Sequence, residues 1–224
     1  YWQAVAVNTL AGVAEQPVGP EDSAAYQYLN YQIFTGYVLA SGKFDLRFFT
    51  SEQYKNYIRY CKAQYSHLGV TSAYGDNPPL GNAWSFPAIG NALSVFGDEE
   101  AESLLALIYR RTPHASFRSM IDAMNIDSAK PLAMGDDLRG LAFFTLGDFQ
   151  LKFNQADGLL KFPVLDKAFF RSGWTPDADF VVLSGLSGAA HGHYDANAIV
   201  QYLDGEHYFL VDGDYIRRYP EQHN

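Results

Sequence analysis

Cysteine is the residue that the sequence lacks most clearly, since Cys61 is the single thiol in 224 residues. One thiol permits no disulfide within the chain, and its place in a helix-like stretch favours a small apolar packing role. No run of residues has the length and apolarity of a membrane-spanning helix. The N-terminus has no basic region followed by an apolar run, so it shows no signal peptide. A secreted or periplasmic location is neither required nor excluded by these features.

Positive charge is also scarce, with 16 Lys and Arg against 25 Asp and Glu and a net charge of -9. A chain without a basic block lacks the surface that nucleic-acid binding needs. Any site for an anion must therefore be built locally, from a few Arg and His side chains and backbone N–H groups. Apolar residues make up 48% and aromatic residues 16% of the chain, which is enough for a sizeable core in one or two domains.

The first half of the chain has the spacing of amphipathic helices. Apolar and aromatic residues recur at intervals of three and four in 23–41, and one face of 51–66 is apolar in the same way. Segment 98–111 has acids in its first turn and arginines in its last, which suits the helix dipole. Gly75 to Pro79 has the composition of a loop. Residues 1–112 are therefore predicted to be mainly helical.

The second half changes to short runs of β-branched and aromatic residues separated by turns, starting near Gly158. Asp204-Gly205 lies between two such runs and predicts a hairpin. The stretch 113–157 is ambiguous, with a short helix at 115–124, and is interpreted as a linker. The predicted fold is a multidomain α+β protein, with a helical domain over 1–157 and an antiparallel domain over 158–224. Because both ends read as cut, we expect the chain to be a segment of a longer protein.

The densest group of reactive side chains is the stretch 191–197, His-Gly-His-Tyr-Asp-Ala-Asn. In a strand, His191 and His193 would point to the same face. Asp212 follows one hairpin later, and His223 lies beyond it. Two imidazoles, a carboxylate from the next strand and a later imidazole are the ligand types of a three-ligand zinc site. The pattern alone does not assign which of them bind the metal.

The sequence from 165 to 224 resembles the opening of the sandwich domain in heparinase II/III-like polysaccharide lyases. The resemblance rests on AFFRSGW at 168–174, then AAHGHYDANAIVQYLDG at 189–205, then a strand that ends in Val-Asp. It extends more weakly over 1–80, through YWQAVAVN, the Tyr-rich helix and the YGD loop. It implies a partial toroid of α/α hairpins followed by an antiparallel β-sandwich, with the substrate cleft between them. A periplasmic or secreted location is favoured by the resemblance, and a homodimer is left open.

The activity that the resemblance implies is β-elimination at a uronic acid in an acidic polysaccharide. Tyr26 would be the catalytic acid and base, with Tyr28 and then Tyr31 as the other candidates, and His191 would assist at the reacting sugar. Zn²⁺ would be a structural cofactor. The remaining assignments are His193, Asp212 and His223 as its ligands, and Arg217, Tyr28 and Asp76 as substrate-binding residues.

Two other interpretations remain open. The spacing from Gly185 to His191 and His193 matches the first part of a cupin metal motif, but Asn197 and Ala198 stand where that motif has a Glu. A non-catalytic glycan-binding homologue is the second. In the lyase family an Asn precedes the tyrosine helix, and the matching position here falls at or before Tyr1. No HExxH motif accompanies the histidines, which disfavours a generic zinc hydrolase.

Overall fold

The computed structural model describes residues 52–72, 74, 86–112, 114–146, 164–185 and 197–211. In that part of the chain, four α-helices and a short 3-10 helix precede five strands. The helices are α1 (Glu52–Ala63), α2 (Phe86–Phe96), α3 (Glu99–Arg111) and α4 (Ala115–Asp122), and the 3-10 helix is Asp136–Leu138. The strands are β1 (Leu141–Leu146), β2 (Val164–Arg171), β3 (Asp179–Ser184), β4 (Ala198–Asp204) and β5 (His207–Val211).

Helix α3 forms where its end signals predict it. The Asp98 side chain caps the first turn by accepting the Ala101 backbone N–H at 3.0 Å. Lys62, at the end of α1, reaches the same region and pairs with Asp98 at 3.0 Å and with Glu100 at 2.7 Å. The apolar residues of α3 between these ends are buried in the core. The helices predicted within 51–66, 98–111 and 115–124 are thereby confirmed.

Helix α2 was not singled out by its spacing, because its sequence is apolar on nearly every side. It buries Phe86, Ala88 and Ile89 and joins α3 through only Gly97 and Asp98. Gly90 lets α2 pass close to the residues that follow α4, because a Cβ at position 90 would lie 3.0 Å from the Met124 sulfur. The short connection makes α2 and α3 an α/α hairpin.

The five strands form one antiparallel sheet in the order β1-β2-β3-β4-β5. The predicted hairpin is confirmed: Asp204 pairs with His207, and Gly205 in the turn between them has φ +55°. Strand β1 lies within the stretch interpreted as a linker, so the sheet starts before residue 158. Its LAFFTL sequence is apolar on both faces and has no alternation to mark it as a strand.

The inner face of the sheet packs on the helices. The ring of Tyr60 from α1 meets Phe144 edge-on at 4.8 Å and Phe169 at 6.0 Å. Ala142, Phe180 and Val182 are also buried on this side. The helices and the sheet therefore share one core.

The outer face of the sheet is apolar and exposed. The register brings side chains from all five strands to this side, and Tyr202 stacks on Phe209 at 5.5 Å. Large apolar side chains here that are more than a third exposed are Leu141, Phe143, Phe170, Ile199, Phe209 and Leu210. A contiguous face of this kind marks a surface suited to packing against another layer.

Arg171, at the end of β2, ties the sheet to the helices. Its guanidinium donates to the carbonyls of Ala63 at 2.6 Å, Tyr65 at 2.9 Å and Leu138 at 2.9 Å. It also lies over the rings of Trp174 and Phe180, at 4.5 and 5.0 Å from their centroids. Burial lowers the pKa of Arg171 to about 9, which leaves it charged at neutral pH. These contacts give Arg171 a structural role.

The architecture confirms a mixed α+β fold with an antiparallel sheet after the helices. Among the residues described above, no helix has both the length and the apolarity to cross a membrane.

Candidate functional site

The sheet has two ends that differ in their connections. At one end, here called the loop end, β1, β3 and β5 finish and β2 and β4 begin. The segments 147–163, 186–196 and 212–224 are therefore all joined to the loop end. At the opposite end, the turn end, the chain passes directly through 172–178 and 205–206. The sequence motif with both histidines thus belongs to a connection at the loop end.

The start and finish of the 186–196 connection are held side by side. The Asn197 backbone N–H donates to the Gly185 carbonyl at 3.3 Å, and Asn197 has φ +57°. Gly185 is also packed against β2, since a Cβ there would lie 2.3 Å from the Leu165 carbonyl oxygen. No side chain fits that space, which explains a glycine at this position. The segment that carries His191 and His193 therefore leaves from and returns to a fixed point.

The sequence-predicted site residues all lie outside the described part of the chain. Three of them are close in sequence to described residues: His191 and His193 lie between Gly185 and Asn197, and Asp212 follows Val211 directly. Asp76 is two residues after Tyr74. The full set outside the described residues is Tyr26, Tyr28, Asp76, His191, His193, Asp212, Arg217 and His223.

A buried polar cluster, formed by Lys167, Tyr74, Tyr60 and Ser184, lies under the loop end. The Lys167 ammonium is 4.7 Å from the centroid of the Tyr74 ring, and the Tyr74 hydroxyl is 2.8 Å from that of Tyr60. Lys167 pairs with Ser184 in the register of β2 and β3, so both side chains lie on the inner face. All four residues are buried. We call this set the Lys167 cluster.

The chemistry of the Lys167 cluster is that of a buried lysine side chain beside two phenols. An ammonium over an aromatic face is attracted by the ring, more strongly where water is excluded. The same charge favours negative charge on groups that come near it. Sequence reasoning missed this cluster. The available signal was a lysine within the apolar run of β2, at a position that the two-residue period of a strand turns inward.

The metal prediction stays a prediction. Within the described ranges no three His, Cys, Asp or Glu side chains are grouped so as to hold an ion. The predicted ligands His193, Asp212 and His223 are not part of those ranges. Their donor chemistry, two imidazoles and a carboxylate, fits Zn²⁺. All three belong to segments of the chain that are joined to the sheet at the loop end.

Comparison with known proteins assigns no family to this chain. No protein-family model matches it, and none of the curated proteins matches it. The basis for a function is therefore the resemblance of residues 165–224 together with the geometry of the loop end and the Lys167 cluster.

Proposed function

We propose that the chain carries part of a polysaccharide lyase of the heparinase II/III-like type, which cleaves uronic-acid-containing polysaccharides by β-elimination. Tyr26 is its acid and base and His191 its assisting residue. His193, Asp212 and His223 hold a structural Zn²⁺. The observation that carries the proposal is the topology of the sheet: the His191–His193 connection and the chain that continues into Asp212 both meet the sheet at the loop end.

The register supports this grouping. Ser184 pairs with Ala198, and Val211 pairs with Gln201, three residues further along β4. A strand rises about 3.3 Å per residue, so Val211 and Ala198 differ by roughly 10 Å along the sheet. Neighbouring connections of this kind can supply ligands to one ion. A structural zinc there would fix the chain on either side of His193, including His191.

The reaction needs three functions from the protein. The uronate carboxylate must be neutralised, so that negative charge developing at C5 is stabilised. A base must remove the C5 proton, and an acid must protonate the oxygen that leaves from C4. Tyr26 serves for both proton transfers when nearby cations favour its phenolate form. Arg217 binds the carboxylate, and Tyr28 and Asp76 contact the sugar.

The Lys167 cluster adds a described cation to this setting. Tyr74 contacts Lys167 and lies two residues before Asp76, while Ser184 lies next to Gly185, where the histidine connection starts. The Lys167 cluster therefore adjoins, along the chain, both the start of the histidine connection and Asp76.

The finer architecture is also part of the proposal. The α2–α3 hairpin, followed by α4 after a short connection, supports the toroid, whose repeating unit is an α/α hairpin. The exposed apolar face of the sheet suits a β-sandwich, in which a second sheet packs about 10 Å away on such a face.

The test is the ultraviolet absorbance of unsaturated uronate, measured with a panel of acidic polysaccharides and the full-length protein. Tyr26→Phe removes one hydroxyl, so elimination is abolished while saccharide binding persists. Tyr208→Phe, on the exposed edge strand β5, is the matched control and keeps its activity. Near-normal turnover in Tyr26→Phe would transfer the role to Tyr28 or Tyr31.

Other results would overturn the proposal. Saccharide binding with no unsaturated product from any of these polymers identifies a non-catalytic glycan-binding homologue. A redox-active iron or manganese in the purified protein, in place of zinc, identifies a cupin-type metal enzyme.

A further inference from the structure

An open cavity of about 500 Å³ lies near the end of α3, away from the loop end. Arg111, one residue from the cavity wall, donates to the Trp174 carbonyl in the 172–178 turn at 3.1 Å. The cavity is therefore on the side of the turn end. Its lining residues are Tyr109, Arg110, Arg118, Ser128 and Ala129. We call it the arginine groove.

Arg110 is held in place by backbone acceptors. Its Nη1 atom donates to the carbonyls of Ser128 at 2.7 Å and Lys130 at 2.9 Å. A guanidinium has five N–H donors. These two bonds occupy one nitrogen and leave the Nε–Nη2 edge, which is the edge that binds a carboxylate through two parallel hydrogen bonds.

Arg118 is held in the same manner from α4. Its Nε donates to the Tyr109 carbonyl at 3.2 Å and its Nη2 to the Thr112 carbonyl at 2.7 Å. These bonds satisfy carbonyls at the end of α3, so part of the role of Arg118 is to cap that helix. The Nη1 group and one Nη2 hydrogen remain for another acceptor.

The acidic groups beside the groove already have partners in the protein, and Asp122 and Asp127 have theirs on residues that line the groove. Hydrogen bonding to the Asp122 carboxylate raises the pKa of Tyr109. The Asp127 carboxylate accepts the Ala129 backbone N–H at 3.0 Å, and Glu102 pairs with Lys130. Over the described ranges, neither Arg110 nor Arg118 forms an ion pair with a carboxylate. Two positioned guanidinium groups thus border one cavity in a chain of net charge -9.

We infer that the arginine groove is a binding site for oxyanion groups, and that its ligand is the carboxylate or sulfate of an acidic saccharide. The oxyanion accepts from the two arginines, and the Tyr109 ring forms part of the wall beside the sugar. The choice of a saccharide rests on the proposed function, whereas the oxyanion chemistry rests on the groove alone. Because the groove lies toward the turn end, it binds polymer outside the catalytic cleft and does not take part in elimination.

The experiment is calorimetric titration of the full-length protein with a uronate oligosaccharide, a neutral oligosaccharide of the same length and inorganic sulfate. The catalytic substitution Tyr26→Phe is present throughout, so that the ligand is not consumed. The test variant is Arg110→Gln/Arg118→Gln. The control is Arg139→Gln. Arg139 also donates to a carbonyl, that of Met134 at 3.1 Å, but its guanidinium has the Asp136 carboxylate 3.7 Å away. A second variant, Arg110→Lys/Arg118→Lys, keeps the charge and removes the two-bond geometry.

Titration of the parent protein is expected to show a second class of uronate sites, beside the catalytic cleft. Affinity at these sites falls by about tenfold for each arginine lost, with a smaller fall in the lysine variant and none in Arg139→Gln. It also falls as salt is raised, and the neutral oligosaccharide does not occupy the groove. Equal binding by the parent and both double variants, with thermal unfolding showing them folded, would overturn the site.

Two further outcomes separate the parts of the inference. If sulfate binds the groove as tightly as the oligosaccharide, the assignment to a saccharide is overturned. If the protein without Tyr26→Phe produces no unsaturated uronate but the groove still loses its ligand in the arginine variants, the proposed function fails and the groove stands.

Discussion

Replacing Arg171 by methionine tests the connection between the helices and the sheet. The side chain is 1% exposed and donates to three carbonyls, two of them in the segment that ends α1. Methionine fills similar volume but can neither donate these bonds nor carry the charge. The carbonyls of Ala63, Tyr65 and Leu138 then remain buried without this donor.

The expected change in the free energy of unfolding is the net result of opposing effects. Hydrogen bonds from a charged donor contribute about 1.5–3 kcal/mol each, and each ring contact up to about 2 kcal/mol. Burying the guanidinium costs several kcal/mol, which methionine recovers. We expect the free energy of unfolding of Arg171→Met to fall by about 3–5 kcal/mol, because acceptors that stay buried cost more than the recovered desolvation.

The assay is urea unfolding followed by circular dichroism, comparing transition midpoints at equal slope. Arg139→Met is the control: its side chain is 61% exposed and that of its neighbour Asp136 99%, so its loss stays within about 1 kcal/mol. A change below about 1 kcal/mol for Arg171→Met would refute the inference that this residue joins the two parts. A reduced slope of the unfolding free energy against urea concentration would instead indicate that the helices and the sheet unfold separately.

Three further predictions concern single residues. His67 donates from Nε2 to the Gly205 carbonyl at 2.7 Å, and burial lowers the pKa of His67 below 6.5. Because the unfolded chain then binds more protons than the folded chain below pH 6.5, stability should fall as the pH drops through that range, and it should fall less in His67→Gln. Equal pH profiles of the two proteins would contradict this prediction. Gly185→Ala should lower the free energy of unfolding by about 1–3 kcal/mol, because the Cβ of the alanine would collide with the Leu165 carbonyl oxygen. A melting temperature equal to that of the parent would show that β2 shifts to make room for it. His193→Ala should lose bound zinc, measured as metal content after dialysis, and full retention of the metal would remove His193 from the ligand set.

Those parts of the fold that depend on local signals were predictable from the sequence. Asp98 and the terminal arginines mark α3, and Asp204-Gly205 marks the hairpin, because capping and turn geometry depend on a few neighbouring residues. Helix α2 and strand β1 were not delimited in this way. Helix α2 is apolar on nearly every side, and β1 has apolar residues on both its buried and its exposed face, so the spacing carries no period.

The same distinction between local and tertiary signals applies to the candidate site. The histidine motif was recognisable because its ligand types are adjacent in sequence, whereas the Lys167 cluster joins residues that are distant in the chain. Lys167 and Tyr74 are brought together only by the packing of the sheet on the helices. Arg110 and Arg118 likewise read as surface charges until the carbonyls that hold them are known. Tertiary contacts of this kind have no local signature.

The difference between the two ends of the sheet has a consequence for how such a protein can diversify. The turn end is hydrogen-bonded to the helical part of the chain. His67, in the turn after α1, bonds to the Gly205 carbonyl, and Arg111, the last residue of α3, bonds to the Trp174 carbonyl. Changes in length there would break these contacts. At the loop end the strands are already paired, and doubling a connection costs only about 0.6 kcal/mol in closure entropy. Insertions and deletions in 147–163 or 186–196 would therefore leave the pairing of the described strands and these contacts of the turn end in place.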